Sequence, residues 1–165
     1  MNTMRRNSDR RWQLRDATAH SHAALDAAVG SFDDAGSYAR YLTAIHAFRA
    51  PLNSDITPLV AQDMADLGLP VPATHPAPQP KGSALLGQLY VLEGAALGGQ
   101  ILRKRAARLG YDETFGARHL AVTTQGWLAF LARLDAEPEY DAQAAIDTAN
   151  ATFALALHAF TKADE

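Results

Sequence analysis

His22 and Arg15 have the residue types and the spacing to hold one ligand between them. Both lie on a predicted helix whose apolar stripe runs from Leu14 to Val29, and His22 falls at the edge of that stripe. Arg15 precedes His22 by two helical turns, which is about 10 Å along the axis. A cation at that distance could hold an anionic group of a ligand whose centre rests on a half-buried imidazole. The alternative is a histidine at the edge of the core and a solvated arginine.

The neighbouring His20 does not add a metal ligand to this pair. Residues two positions apart point to different sides of a helix, whereas pairs of ligands need a spacing of three or four. The other histidines have no ligand spacing among themselves, and we interpret them as structural or exposed: His46, His75, His119 and His158. The chain contains no cysteine, which excludes disulfides, zinc–thiolate sites, iron–sulfur clusters and thiolate nucleophiles.

A second predicted helix carries glycines at positions where alanine would stabilise it. Within the segment from Ser83 to about Leu109 these are Gly87, Gly94, Gly98 and Gly99. Each costs about 1 kcal/mol relative to alanine. Gly94 and Gly98 lie one turn apart on a face that begins with Tyr90. Bare backbone of this kind permits either a closely packed neighbouring helix or a flat ligand against the face.

The elements that position these residues are all predicted to be helices. A chain of 165 residues is the size of one domain, and it is rich in alanine, leucine and arginine. The predicted helices span about residues 9–29, 37–50, 51–66, 83–109, 125–134 and 141–160, and Gly30, Gly68 and Gly110 are expected to end the first, third and fourth. Ser37 is the expected N-cap of the second helix, and Pro51 is expected either to kink it or to open the third. The predicted fold class is all-α, a single-domain compact bundle of six to eight helices over residues 1–165, with residues 1–8 a flexible N-terminus.

Charge and hydropathy favour a protein without polyanionic partners. Fifteen basic and 18 acidic residues give a net charge of −3, so no strong field attracts nucleic acid or anionic lipid. No apolar run reaches the roughly 18 residues that cross a bilayer, and the polar start is unlike a signal peptide. The expected location is cytoplasmic, with no membrane and no nucleic-acid partner. The basic end of the glycine helix, Arg103 to Arg108, is a solvated face or a docking patch for an acidic partner.

Two motifs together resemble those of bacterial heme oxygenases. The segment Leu14–Asp26, LRDATAHSHAALD, is similar to their proximal-helix pattern L-R-x-A-T-x-x-x-H-x-x-L-[DE]. The segment Tyr90–Leu102, YVLEGAALGGQIL, resembles their distal-helix pattern Y-V-L-E-G-S-x-L-G-G. The run from Tyr38 to Leu52 and the closing residues Thr152 and Phe153 also fit. The resemblance covers nearly the whole chain and is strongest to the biliverdin-producing branch associated with phytochromes.

The resemblance implies a heme oxygenase-type bundle in which His22 is the proximal ligand of the heme iron. It assigns the catalytic positions over the heme to three glycines, Gly94, Gly98 and Gly99. Arg15 and Tyr90 occupy positions where the family meets the heme propionates, and Phe153 is a further heme-binding position. Neutral histidine is an ordinary axial ligand of heme iron.

The implied reaction opens heme to biliverdin, CO and iron, so that heme is both substrate and cofactor. It consumes O₂ and electrons from a separate reductase of ferredoxin or flavoprotein type, and a phytochrome could receive the biliverdin. Ala95 stands where bacterial members usually have serine, and Leu128 follows Trp127 where their pattern has a basic residue. These two differences support an alternative, a non-catalytic heme- or bilin-binding module of the same fold. A helical interaction protein without a tetrapyrrole site is the third hypothesis.

Overall fold

The computed structural model describes residues 3–163, with side chains described from residue 9 to residue 162. Six α-helices make up this part of the chain: α1 Thr3–Val29, α2 Ala35–Arg49, α3 Thr57–Asp66, α4 Gly82–Arg108, α5 Gln125–Ala136 and α6 Ala142–Ala163. A short 3₁₀ helix, Arg118–Ala121, lies between α4 and α5. The described residues contain no β-strand, so the all-α prediction is confirmed.

The structure changes the predicted start of the first helix. α1 begins at Thr3 rather than near residue 9, so residues 3–8 of the expected flexible N-terminus are helical, and residues 1 and 2 lie outside the described part. The expected helix ends are confirmed at Gly30, Gly68 and Gly110, whose φ angles of +59°, +72° and +89° lie in the left-handed region. Glycine adopts that region without steric cost, and it commonly follows the last helical residue.

The predictions for Ser37 and Pro51 were wrong. Asp34, not Ser37, is the N-cap of α2, and the two residues form a reciprocal capping box. The Ser37 backbone N–H donates to Asp34 Oδ1 at 2.8 Å, and the Asp34 N–H donates to the Ser37 hydroxyl at 3.2 Å. α2 ends at Arg49, so Pro51 lies in the following turn and neither kinks α2 nor opens α3. Pro58, in the first turn of α3, has that second role.

The core is organised around α6, which packs against α1, α2 and α4. Small residues on α6 let α4 approach closely: a Cβ placed on Gly87 would overlap the carbonyl oxygen of Ala145 and lie 3.0 Å from the backbone N of Ala149. For Gly87, therefore, close packing against a neighbouring helix is the correct interpretation. By length and composition α4 could cross a membrane, but core helices of globular proteins share that property. Here α4 packs against both α5 and α6.

A second cluster of buried residues joins α2, α3 and the 3₁₀ helix through a polar chain. Tyr41 Oη lies 3.0 Å from His119 Nε2, and His119 Nδ1 lies 2.7 Å from Asp63 Oδ2. Asp63 also accepts the Arg118 backbone N–H at 2.9 Å. Burial raises the pKa of Asp63, but these hydrogen bonds outweigh it and leave the pKa below its ordinary value of 3.8. His119 is thus a structural histidine, as predicted.

Substitution of Gly87 by alanine is expected to lower the free energy of unfolding by about 1–3 kcal/mol, because the methyl group would collide with the α6 backbone. Gly98→Ala is the matched control. No atom lies within 4 Å of a Cβ at Gly98, so the substitution should stabilise the protein by about 1 kcal/mol through helix propensity. Urea unfolding of both variants without added ligand measures the difference. Equal effects of the two substitutions would contradict this account of α4.

The Asp63→Asn variant is expected to unfold with a free energy lower by about 1–3 kcal/mol at neutral pH, because it loses hydrogen bonds to a charged acceptor. The folded-state pKa of Asp63 lies below its unfolded value. Its stabilisation is therefore fully present above pH 3.8 and is lost as pH falls through the folded pKa. Urea unfolding as a function of pH should show the gap between wild type and variant closing in acid. The exposed Asp147→Asn is the control, and a gap independent of pH would contradict the prediction.

Candidate functional site

α1 and α4 both pack against α6 but make few direct contacts with each other. At one end the Tyr90 phenol lies beside the Thr18 hydroxyl. At the other end Arg105 Nη1 donates to the Gly30 carbonyl at 3.1 Å. The two helices therefore run in the same direction, and between these contacts an opening extends over about 18 Å of α1 and about 22 Å of α4. We call this opening the α1–α4 window.

His22 lies on the α1 side of the window, one turn after Thr18. Its ring stacks on Phe153 of α6 with 5.5 Å between the centroids, and its Nε2 lies 3.5 Å from Asp26 Oδ2. The side chain is 58% exposed, which is more than the half-buried position predicted from the sequence. The imidazole thus has one face supported by a phenyl ring and its Nε2 near a carboxylate, and more than half of its surface is open to a ligand.

The α4 side of the window is bare backbone flanked by exposed apolar side chains. Nothing lies within 4 Å of a Cβ placed on Gly98, and a Cβ on Gly94 would lie 3.4 Å from the ring of Trp127. Leu97 and Ile101, on the same stretch, are 50% and 60% exposed. A Cβ on Gly99 would instead lie 3.9 Å from the carbonyl oxygen of Leu120 in the 3₁₀ helix. Gly94 and Gly98 therefore border the window, whereas Gly99 lies off their face.

The Tyr90 end of the window carries aromatic rings and guanidinium groups. Trp127 is buried and packs against Tyr90 with 5.8 Å between the ring centroids. The predicted Arg15 lies over the ring of Trp12, 5.0 Å from its centroid. Burial, together with the Asp16 carboxylate, raises the pKa of the Tyr90 phenol, and the neighbouring Thr18 hydroxyl and the two arginines lower it only in part. The structure thus brings Arg15 and Tyr90 to the same end of the window.

Arg11 is a residue of this end that the sequence analysis missed. Its guanidinium lies 5.0 Å from the ring centroid of Trp12 and 5.5 Å from that of Trp127. Within the described residues, no carboxylate lies at ion-pair distance from Arg11 or Arg15. Arg11 precedes Arg15 by one helical turn, and that spacing was the available signal; its contact with Trp127 is long-range and has no signature in the sequence.

Beneath α4, a buried arginine contacts the backbone just before Gly94. Arg49 donates to the Leu92 carbonyl at 3.0 Å and to the Ser54 hydroxyl at 2.7 Å. The next residue, Glu93, lies against the start of α5, and its pKa is raised by burial. These contacts fix the backbone from which the glycine segment continues. Sequence analysis missed the contact of Arg49 with Leu92 because it joins residues 43 positions apart.

The residues that border the window fit a planar amphipathic anion with a metal at its centre. They supply an exposed imidazole on one side, open backbone at Gly98 on the other, and at the Tyr90 end two arginines without a carboxylate partner within the described residues. The described residues contain no group of three or more His, Cys, Asp or Glu that could hold a bare metal ion. A metal that arrives inside its own macrocycle needs only one such ligand. Heme has this combination of features.

Comparisons with known proteins agree with that fit. A family model described as heme oxygenase matches residues 50–162. The heme oxygenase PigA of Pseudomonas aeruginosa is 48% identical over 80 residues, which cover 44% of this chain and 40% of that protein. A heme oxygenase of Xanthomonas campestris is 41% identical over 58 residues, which cover 33% of this chain and 35% of that protein. The matched region thus spans well under half the length of both relatives.

The fold is similar to that of a solved structure described as the NO- and CO-bound heme oxygenase of Neisseria meningitidis. The TM-score is 0.73 at 24% identity, and the match covers 93% of this chain and 91% of that one. That likeness concerns the fold alone. The family model covers more than half of the chain, and the all-α architecture agrees with it. We conclude that the chain belongs to the heme oxygenase family.

Proposed function

We propose that this protein cleaves heme oxidatively to biliverdin, CO and iron, with heme bound as substrate in the α1–α4 window. The observation that supports the proposal is that α1 exposes the His22 imidazole and α4 leaves open space at Gly98, both between the helix contacts at Tyr90 and Arg105. When bound, heme supplies the O₂-activating and redox chemistry, and the protein supplies binding, orientation and control of water.

His22 is the proposed ligand of the heme iron. Phe153 supports the face of the imidazole, and Asp26 Oδ2 lies 3.5 Å from its Nε2. A carboxylate beside a ligating histidine helps to orient the ring toward the metal. In this arrangement α1 provides the ligand and α6 provides its support.

Gly94 and Gly98 are the proposed catalytic positions of α4, because the absence of side chains lets peptide backbone reach the plane of the substrate. Gly99 was assigned to the same role by resemblance, but its position beside Leu120 supports a role in packing against the 3₁₀ helix. The exposed Leu97 and Ile101 would cover apolar parts of the substrate and exclude water there. Arg15 and Tyr90 are the proposed partners of the propionates.

The resemblance of the two motifs supports the proposed partners. Electrons would come from a reductase of ferredoxin or flavoprotein type, O₂ would be the oxidant, and a phytochrome could take up the biliverdin. The expected location remains cytoplasmic.

A second candidate function is a heme- or bilin-binding module that does not open the ring. Ala95, an exposed residue next to Gly94, offers only a methyl group where a hydroxyl could hold water. Leu128, after Trp127, exposes 61% of its surface where a cation would bind an acidic group. Both differences leave the shape of the window intact, so they would affect turnover more than binding.

Heme titration tests both candidates. One heme per chain should bind and give a Soret band, and His22→Ala should weaken binding by about tenfold or more through loss of the iron ligand. His20→Ala, an exposed histidine on the same helix, is the control. With a reductant and O₂, wild type should give a bilin spectrum. Heme binding without ring opening would favour the binding module, in which case Ala95→Ser should increase turnover. Absence of heme binding would overturn both candidates.

A larger side chain at Gly98 should obstruct the window without unfolding the helix. Gly98→Leu is expected to weaken heme binding by about tenfold or more, with Gly98→Ala between it and wild type, since each added carbon occupies space open to the ligand. Gln100→Leu adds the same side chain to an exposed position on the other side of α4 and is the control. Dissociation constants from absorbance titration measure the series. An equal loss in Gln100→Leu would contradict the proposed binding face.

A further inference from the structure

The Arg11 guanidinium lies in contact distance of two aromatic rings at the Tyr90 end of the window. It is 5.0 Å from the ring centroid of Trp12 and 5.5 Å from that of Trp127, which are distances typical of cation–π contacts. Because the guanidinium group is planar and stacks well on aromatic faces, these rings hold it in a defined place at a small cost in side-chain entropy. Arg11 is therefore a preorganised cation rather than a free surface arginine.

This cation and Arg15 stand close together without a carboxylate partner within the described part of the chain. Both act on the Tyr90 phenol, and Arg15 shares the ring of Trp12 with Arg11. Two like charges brought together on one helix repel each other, and an anion bound between them removes that repulsion. The pair thus has the charge and the spacing to bind a dianion.

The Trp127 ring connects Arg11 to the glycine face. One part of the ring lies 3.4 Å from the position of a Gly94 Cβ, and Arg11 stacks over the same side chain. A ligand that rests against Gly94 therefore has Arg11 one aromatic ring away. No other described residue of α1 contacts Trp127 through a guanidinium.

The geometry points to Arg11 as a second carboxylate-binding residue, which together with Arg15 holds the acidic edge of the heme at the Tyr90 end and thereby determines which ring edge faces Gly98. This inference rests on the proposed function. Leu128, the exposed residue after Trp127, has no charge with which to bind a carboxylate, and Arg11 supplies a cation at that edge of the substrate instead. The specificity that this inference predicts is the choice of the ring position at which heme is opened.

The test compares heme with heme dimethyl ester, which has the same ring and metal but no carboxylates. Arg11→Gln is expected to weaken heme binding by about tenfold, as for the loss of one charge-assisted hydrogen bond, and to leave ester binding unchanged. Arg11→Lys keeps the charge without the planar group and should lie between the two. Wild-type affinity for heme, but not for the ester, should decrease as salt is raised.

Arg10→Gln is the matched control, because Arg10 is the adjacent residue but donates to the Leu134 and Glu137 carbonyls away from the window. It should change neither affinity, apart from any loss of stability, which urea unfolding measures separately. A second readout is the ratio of biliverdin isomers, which should shift in Arg11→Gln and remain unchanged in Arg10→Gln.

The outcomes separate this inference from the proposed function. If Arg11→Gln changes heme and ester binding by the same factor, or changes neither, Arg11 only packs against Trp127 and the inference is overturned. If wild type binds heme through Arg11 but never yields a bilin, the inference stands while the proposed activity fails. If wild type does not bind heme, both fail together.

Discussion

The contact of α6 with both α1 and α4 determines how far apart these two helices stand. On the α4 side the contact is between backbones, because Gly87 lets the helix approach Ala145 without an intervening side chain. On the α1 side it is polar: the Ser21 hydroxyl donates to Asn150 Oδ1 at 2.8 Å, and Asn150 Nδ2 donates to the Ala17 carbonyl at 3.3 Å. With α6 holding both partners, α1 and α4 meet through side chains at the two ends of the window. The window between them is therefore a consequence of the packing of α6.

Glycines in α4 serve two opposite physical requirements. At Gly87 a side chain is impossible because another backbone occupies the space, so the glycine contributes to stability. At Gly98 the space is open, so the glycine costs helix propensity and the fold gains nothing from it. A protein selected only for stability would have alanine there, and retention of such a cost is typical of a site that needs the open surface. The same residue type thus marks the core at one end of α4 and the ligand face at the other.

Local signals in the sequence were sufficient for most of the fold. Composition and apolar periodicity predicted all six helices, although α1 begins about six residues earlier and α3 about six residues later than predicted. Gly30, Gly68 and Gly110 ended three of them, because a left-handed residue after a helix is a local requirement. The errors concern choices between neighbouring candidates. Ser37 and Asp34 can both cap a helix, and only the reciprocal geometry of the capping box decides between them. Pro51 and Pro58 can both begin a helix, and tertiary packing determines which one does.

The site was predictable as far as it lies on one face of one helix. Helical spacing related His22 to Arg15 and Gly94 to Gly98, and the resemblance of the two motifs then gave the hypothesis of a heme site. Arg11 and Arg49 could not be predicted in this way, because their roles come from contacts with Trp127 and the Leu92 carbonyl, on elements distant in sequence. Sequence patterns carry no information on which side chain crosses to which helix.

The window is electrostatically asymmetric, and this asymmetry constrains any ligand more than its shape does. At the Tyr90 end Arg11 and Arg15 have no carboxylate at ion-pair distance within the described residues. At the other end the Arg105 guanidinium is already hydrogen-bonded to the Gly30 carbonyl, and Leu97 and Ile101 on α4 expose apolar surface. A planar ligand with acidic groups on one edge would leave a carboxylate against apolar surface if it entered the opposite way round. Transfer of an unpaired charge to an apolar surface is costly, so one orientation is strongly favoured before any contact with His22 forms. The cations thus determine which edge of the planar ligand faces the Tyr90 end. The imidazole and the open backbone at Gly98 then fix the position of the plane of the ligand.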